Sequence, residues 1–286
     1  MIEIAVKATT ANLGPGFDCM GLALDIENKV IIKESNEEFK DKKNLIYFSI
    51  KKVFEIVGKS IPKLQIDQNI QIPISRGLGS SAACIAAGCI AGNILSGANL
   101  SIDELINIGT SIEGHPDNIV PAFLGGYTIS SLEEDKVVYF RQEAFTGFKY
   151  GVMIPDFTLS TTVARNALPD SIQYKDAVFN VAKSALLSAA MITGDGKLLK
   201  FACEDKIHQP YRKHLIPGFD EITSMANSMG ALGTFLSGAG PTIVSILDSE
   251  DDIFEIEMNK FLLGLKGGWS LKVIKASNIG VQAKSI

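Results

Sequence analysis

Residues 73–83 read Pro73-Ile74-Ser75-Arg76-Gly77-Leu78-Gly79-Ser80-Ser81-Ala82-Ala83, and the reading of the whole chain turns on this stretch. Gly77 and Gly79 free the backbone to take positive φ angles and to approach a ligand closely. The run from Ala82 to Ala91 is small and helix-compatible, so the first free amides of a helix are expected to face an anion such as a phosphate. Ser80 and Ser81 stand where a helix N-cap belongs, and a hydroxyl there either satisfies an amide or turns outward toward a metal. The stretch is not a Walker loop, because no Lys follows the glycines at the required spacing, and it does not open as a G-x-G-x-x-G dinucleotide turn. Gly88 and Gly92 form a G-x-x-x-G within the same apolar run, which ends at Asn93, well short of the ~20 residues of a membrane span. A buried helix of a globular protein is the expectation.

Toward the N-terminus, IEIAVK alternates like a strand and runs into a breaker cluster of Asn12, Gly14, Pro15 and Gly16, with Asp18 following in apolar surroundings. Toward the C-terminus, Ser101 and Glu104 make an S-x-x-E capping box, which predicts a helix through Leu105 and Ile108 to about Glu113, ending at Gly114. The helix dipole disfavours a carboxylate at that end, so Glu113 asks for another partner, and a metal would supply one. The polar turn His115-Pro116-Asp117-Asn118 follows, and LSGAGPT at 236–242 makes a late turn between two strand-like runs.

Strand-like runs at KVIIKE and LQIDQNI surround a helical NLIYFSIKKVFEIVG, and YTIS, KVVYF and YGVMI lead to Pro155. Beyond it come a helical AVFNVAKSALLSAAMI, strand-like ALGTFL and TIVSIL, a helix around IFEIEMNKFLLG and a last strand near LKVIKA. The pattern predicts an α+β protein with an N-terminal lobe at 1–155 and a C-terminal lobe at 156–286, joined without a linker. A chain of 286 residues with 46% hydrophobic content buries a real core. A net charge of -5 offers no electrostatic case for nucleic acid or a membrane surface as partner. Cys19, Cys84, Cys89 and Cys203 show no C-x-x-C spacing and read as reduced core thiols, while three histidines argue against a zinc site. The N-terminus lacks the basic residue and apolar block of a signal peptide, so a cytoplasmic location is expected.

ATTANLGPGFDCMG, PISRGLGSSAA, EGHPDN and LSGAGPT, in this order, resemble the homoserine kinases of the galactokinase, homoserine kinase, mevalonate kinase and phosphomevalonate kinase (GHMP) superfamily. The likeness runs essentially end to end. The glycine-serine loop points to the superfamily, whereas TTANLGPGFD with EGHPDN points to the homoserine kinases; Thr10 stands where the family more often has Ser. The resemblance implies a GHMP-kinase-like two-lobed fold with the ATP cleft between the lobes, and ATP-dependent phosphorylation of the L-homoserine hydroxyl in threonine biosynthesis. It implies that residues 73–83 hold ATP and that Ser81, with Ser80 as the alternative, joins Glu113 on Mg2+. It further implies that His115 and Asn118 line the homoserine pocket and that Arg165 and Arg212 hold the substrate carboxylate. Each arginine taken alone would be placed at the surface. Asp18 would accept from the ammonium, Asn12 would hold the hydroxyl end and Thr161 would lie near the phosphoryl path; Asn12, Asp18 and Arg165 form the catalytic set. Asp18 is a substrate binder first and a base second, and a homodimer is left open. Two alternatives stand beside this reading: a kinase of the same superfamily acting on another alcohol, and a ligand sensor that binds nucleotide without turnover.

Overall fold

The computed structural model describes residues 1–286. β1 (Ile2–Asn12) and β2 (Gly16–Glu34) form a long antiparallel hairpin whose alternating Ile4, Val6, Ala8, Leu22 and Leu24 are buried. At its turn Asn12, Leu13 and Asp18 take φ of 69°, 48° and 56°. Non-glycine residues enter that region at a cost, so tertiary contacts must hold this turn.

α1 (Leu45–Ile56) starts at Asn44, whose Oδ1 accepts from the amides of Ile46 and Tyr47, and β3 (Leu64–Asn69) pairs with β2. α2 (Ser80–Ser96) packs on β1 with α1 lying against it. Gly88 and Gly92 make that approach possible. A Cβ at Gly88 would lie 2.5 Å from the Ile46 carbonyl oxygen, and one at Gly92 would lie 2.8 Å from Val53 Cβ. The N-cap of α2 is Gly79 at φ 67°, rather than either serine. The left-handed glycine itself turns the chain into the helix, so Ser80 and Ser81 become its first two residues. α3 (Ile102–Glu113) has the expected capping box of Ser101 and Glu104 and ends at left-handed Gly114. α4 (Ile119–Leu124) follows the polar turn, before β4 (Tyr127–Glu133) and β5 (Lys136–Gln142).

The second half runs through β6 (Phe148–Ile154), α5 (Thr161–Asn166), α6 (Tyr174–Thr193), α7 (Gly196–Ala202), α8 (Gln209–Arg212) and α9 (Phe219–Ser228). It closes with β7 (Gly233–Leu236), β8 (Ile243–Asp248), α10 (Phe254–Leu262), β9 (Ser270–Ile274) and β10 (Gln282–Ser285). Two antiparallel sheets result, β10-β1-β2-β4-β5 with β3 beside β2, and β7-β8-β6-β9, as the α+β pattern requires. The sheets do not divide the chain at Pro155. β6, on the N-terminal side of that point, lies between β8 and β9, while β10 returns to the edge of β1. Strand character in YGVMI carries no information about which sheet will accept it, and the polar QAKS of β10 has no alternation to announce it.

One cluster of 47 buried residues joins β1, β2 and α2 to β6 and α6, and a second of 13 lies under α9 and α10 around Phe219, Phe254 and Trp269. No helix is long and apolar enough to cross a membrane.

Candidate active site

The glycine-serine loop and the late glycine turn lie against each other. Thr242 N–H donates to Arg76 O at 3.3 Å, and Gly77 leaves no room for a Cβ against the Ser237 carbonyl. Gly79 is likewise pressed on Thr9, whose hydroxyl donates to Asn118 Oδ1 at 2.7 Å. Thr9 N–H donates to Leu78 O at 3.2 Å, and Thr10 Oγ1 lies 2.8 Å from Ser237 Oγ. The Arg76 guanidinium is spent on backbone: Nε donates to Pro155 O at 2.9 Å and Nη1 to Ile74 O at 2.9 Å. It ties the loop to the chain leaving β6.

These turns border a cleft of about 530 Å³ lined from both lobes. Ile74, Ser75, Arg76, Gly77, Gly79, Ser80 and Ser81 lie on its wall. Leu78 in the loop and Ala82 and Ala83 on α2 do not: all three are buried in the main core. Pro73 also stays outside the cleft lining, half-buried before the turn. Ser81 Oγ donates to Glu113 Oε2 at 2.5 Å, so the first turn of α2 and the last residue of α3 bring two oxygen donors together at the cleft. That is a donor set for a hard cation such as Mg2+.

Beyond Glu113, His115 Nδ1 lies 2.5 Å from Asp117 Oδ1, which also accepts the Asn118 N–H at 2.9 Å. Burial disfavours the charged imidazole, but the hydrogen bond and charge of Asp117, with Asp18 and Glu113 further out, outweigh it and raise the His115 pKa above 6.5. Asn118 accepts the Thr9 hydroxyl at its amide oxygen, which ties the polar turn to β1.

Asp18 and Arg165, assigned from sequence to opposite ends of one substrate, are bonded to each other. Arg165 Nη1 and Nη2 donate to Asp18 Oδ2 and Oδ1, each at 2.9 Å, in a planar fork. A carboxylate offers about four lone-pair sites and the guanidinium keeps further N–H groups, so both retain capacity for a ligand. Asn12 is similarly engaged: its Oδ1 accepts Asp18 N–H at 2.9 Å and its Nδ2 donates to Gly238 O at 2.9 Å. It fixes the hairpin turn to the late glycine turn, which accounts for the positive φ values there. Arg212 is no surface residue. It is 2% exposed, with Nε donating to Ala164 O at 3.1 Å and Nη1 to Gly238 O at 3.3 Å. Burial, and then repulsion from Arg165, brings its pKa down to about 10, so it stays charged at neutral pH. Thr161 opens α5 at the cleft wall, after the capping hydroxyl of Ser160.

All of Asn12, Asp18, Glu113, His115, Asn118, Thr161, Arg165 and Arg212 thus face one cleft. Sequence reasoning missed Asp117, buried and holding His115, although its place in the same polar turn was a usable signal. It also missed Phe17, whose ring lies 5.7 Å from Arg165 Cζ and 5.1 Å from Arg212 Cζ; no local pattern marks an aromatic residue as a platform for two distant arginines. The thiols lie as expected, free and at least partly buried, and burial pushes Cys19 and Cys84 up to about 11.

Two family models match the chain, the GHMP kinases N terminal domain over residues 44–126 and the GHMP kinases C terminal over 187–257. A homoserine kinase of Clostridium botulinum (strain Langeland) is 45% identical over 98% of this chain and 97% of its own length. One from Caldicellulosiruptor saccharolyticus is 45% identical over 100% of this chain and 97% of its own. Among solved structures, a homoserine kinase from Cytophaga hutchinsonii superposes with a TM-score of 0.90 at 27% identity, covering 99% of this chain and 97% of that one. The mevalonate kinase of Methanococcus jannaschii, at 18% identity and a TM-score of 0.71 over 97% and 98% of the two chains, shares the fold.

Proposed function

The chain belongs to the homoserine kinases of the GHMP kinase family, and from that premise we propose that its cleft transfers the γ-phosphoryl of ATP to the side-chain hydroxyl of L-homoserine. The products are O-phospho-L-homoserine, for threonine biosynthesis, and ADP. The observation that carries the reading is the cluster of Asp18, Arg165 and Arg212 facing the glycine-serine loop across one cleft. A zwitterion with a terminal hydroxyl needs groups of both signs, placed beside a phosphate cradle. Beside Arg76 at the glycine-serine loop, the wall sets Arg165 and Arg212 among the carboxylates of Asp18, Asp117 and Glu113, with His115 paired to Asp117.

In this reading the free amides at the start of α2 steady the ATP phosphates, and the arginines take the homoserine carboxylate. Asp18, oriented by its fork to Arg165, accepts from the ammonium. Ser81 and Glu113 would hold Mg2+, which when bound offsets phosphate charge. The homoserine oxygen forms the new bond to phosphorus as the bond to the β-phosphate oxygen breaks, and the hydroxyl proton leaves late, to solvent or to Asp18. Catalysis is then mostly positioning and charge neutralisation. A cytoplasmic location belongs to the same reading, which leaves a homodimer open.

The test is ADP release with homoserine, mevalonate, galactose and threonine as candidate acceptors. Homoserine should give the highest kcat/KM. A better alcohol would move the assignment within the family, and nucleotide binding without ADP release for any acceptor would make the chain a sensor.

A further inference from the structure

His208 is fully buried behind the cleft wall and has no part in the roles given above. Its Nε2 lies 2.7 Å from the Gly14 carbonyl oxygen, which only accepts, so Nε2 carries the proton. Its Nδ1 therefore presents a lone pair, and Arg212 Nη1, which only donates, lies 3.4 Å away. The two partners demand the same neutral tautomer. Phe17 stacks on the imidazole at 5.1 Å between centroids and 23° between planes. The backbone beneath is anchored by the buried carboxylate of Asp205, whose Oδ2 accepts the amides of His208 at 2.9 Å and Gln209 at 2.6 Å. Asp205 Oδ1 takes the Ile207 N–H at 3.1 Å and Asn180 Nδ2 at 2.8 Å.

We propose that His208 is a positioning residue for homoserine: it links the Gly14 backbone to the Arg212 guanidinium and so sets the substrate arginine relative to the loop that carries Asn12 and Asp18. The inference rests on Arg212 holding the substrate carboxylate. Neutral imidazole suits the task because one rigid ring offers a donor and an acceptor on opposite sides, which neither Lys nor Arg can do. Protonation would remove the acceptor and set two cations side by side. The charged groups facing the ring are Arg212 and Asp205, whose Oδ2 is 3.6 Å from Nε2, with Asp18 and Arg165 beyond Phe17. Burial, the largest influence, keeps the His208 pKa below 6.5, so the linking form prevails at neutral pH.

Three substitutions separate the two bonds. His208→Phe keeps a ring on Phe17 and loses both; His208→Gln keeps a donor near the Nε2 position; His208→Asn keeps an acceptor near the Nδ1 position. His208→Phe should raise the homoserine KM roughly 10- to 100-fold, the range for a hydrogen bond to a charged group, with the ATP KM and kcat near wild type. Asn should recover more of the homoserine KM than Gln. An unchanged homoserine KM, equal rises in both KM values, or Asn no better than Phe would overturn the proposal. A second readout does not use activity: 15N NMR of the imidazoles, simplified by a total of three histidines, should show His208 protonated at Nε2 alone at pH 7. Its Nδ1 resonance should shift in Arg212→Met. The opposite tautomer, an imidazolium, or no shift would also defeat it, even if a variant failed to fold. Wild-type protein inactive on homoserine would instead remove the assignment of Arg212 while leaving the tautomer result to decide the link.

Discussion

Glu113 ends α3 at the negative end of its dipole, yet it accepts a 2.5 Å hydrogen bond from Ser81 beside the glycine-serine loop. If the pair holds Mg2+, Glu113→Gln should keep the melting temperature, lower kcat and raise the Mg2+ concentration needed for half-maximal rate. An unchanged Mg2+ titration at wild-type turnover would end that assignment. Arg212→Lys should raise the homoserine KM far more than the ATP KM, since an ammonium cannot reproduce a planar fork. Asp18→Asn separates two roles. As a binder, Asp18 should be partly rescued by saturating homoserine; as a base, it should leave the saturated rate reduced by about 10²–10⁴-fold with homoserine binding intact. Partial rescue is expected, because phosphoryl transfer to an alcohol releases its proton late. His115 gives a pH signature. Its pKa is raised in the fold, so its pairing with Asp117 contributes stability that is fully present below 6.5 and is lost as pH rises through the folded value. The melting-temperature gap between wild type and His115→Gln should therefore be widest in mild acid and close toward alkaline pH; a gap that widens with pH would contradict the pairing.

Between elements, the α1–α2 contact depends on two absent side chains. Gly92→Leu would push into Val53 Cβ and the Ile50 carbonyl, and overpacking of this kind costs roughly 1–3 kcal/mol. Urea unfolding should show that loss through a lower midpoint at unchanged slope; a neutral midpoint would mean that α1 can move away freely. The legible features at this scale were local ones. The Ser101–Glu104 box and the stop at Gly114 are encoded within a few residues and lie where the spacing puts them. The cap of α2 was misread because a left-handed glycine and a serine both serve at that position, and only the path of the incoming loop selects between them. Short α4, α5, α7 and α8 escaped for a related reason, since four to seven residues hold too little periodicity to outweigh a loop reading.

Over the whole molecule, the main buried cluster runs through both sheets, with β6 and α6 sharing it with β1, β2 and α2. Calorimetry should accordingly show one cooperative unfolding transition, with van't Hoff and calorimetric enthalpies in agreement. Two resolved transitions would mean that the lobes melt independently. The residues' own short-range patterns determined the α+β class and most of the longer elements, while the likeness to a known family pointed to the polar residues that face the cleft, among them Thr161, Arg165 and Arg212, which no local pattern marks. Tertiary structure decided the rest. It put β6 in the second sheet and β10 in the first, turned Leu78, Ala82 and Ala83 inward, buried Arg212, and joined Asp18 to Arg165 across 147 positions of chain. Strand partnership, burial and side-chain pairing depend on which surfaces meet once the chain has folded, and no window of neighbouring residues contains that information.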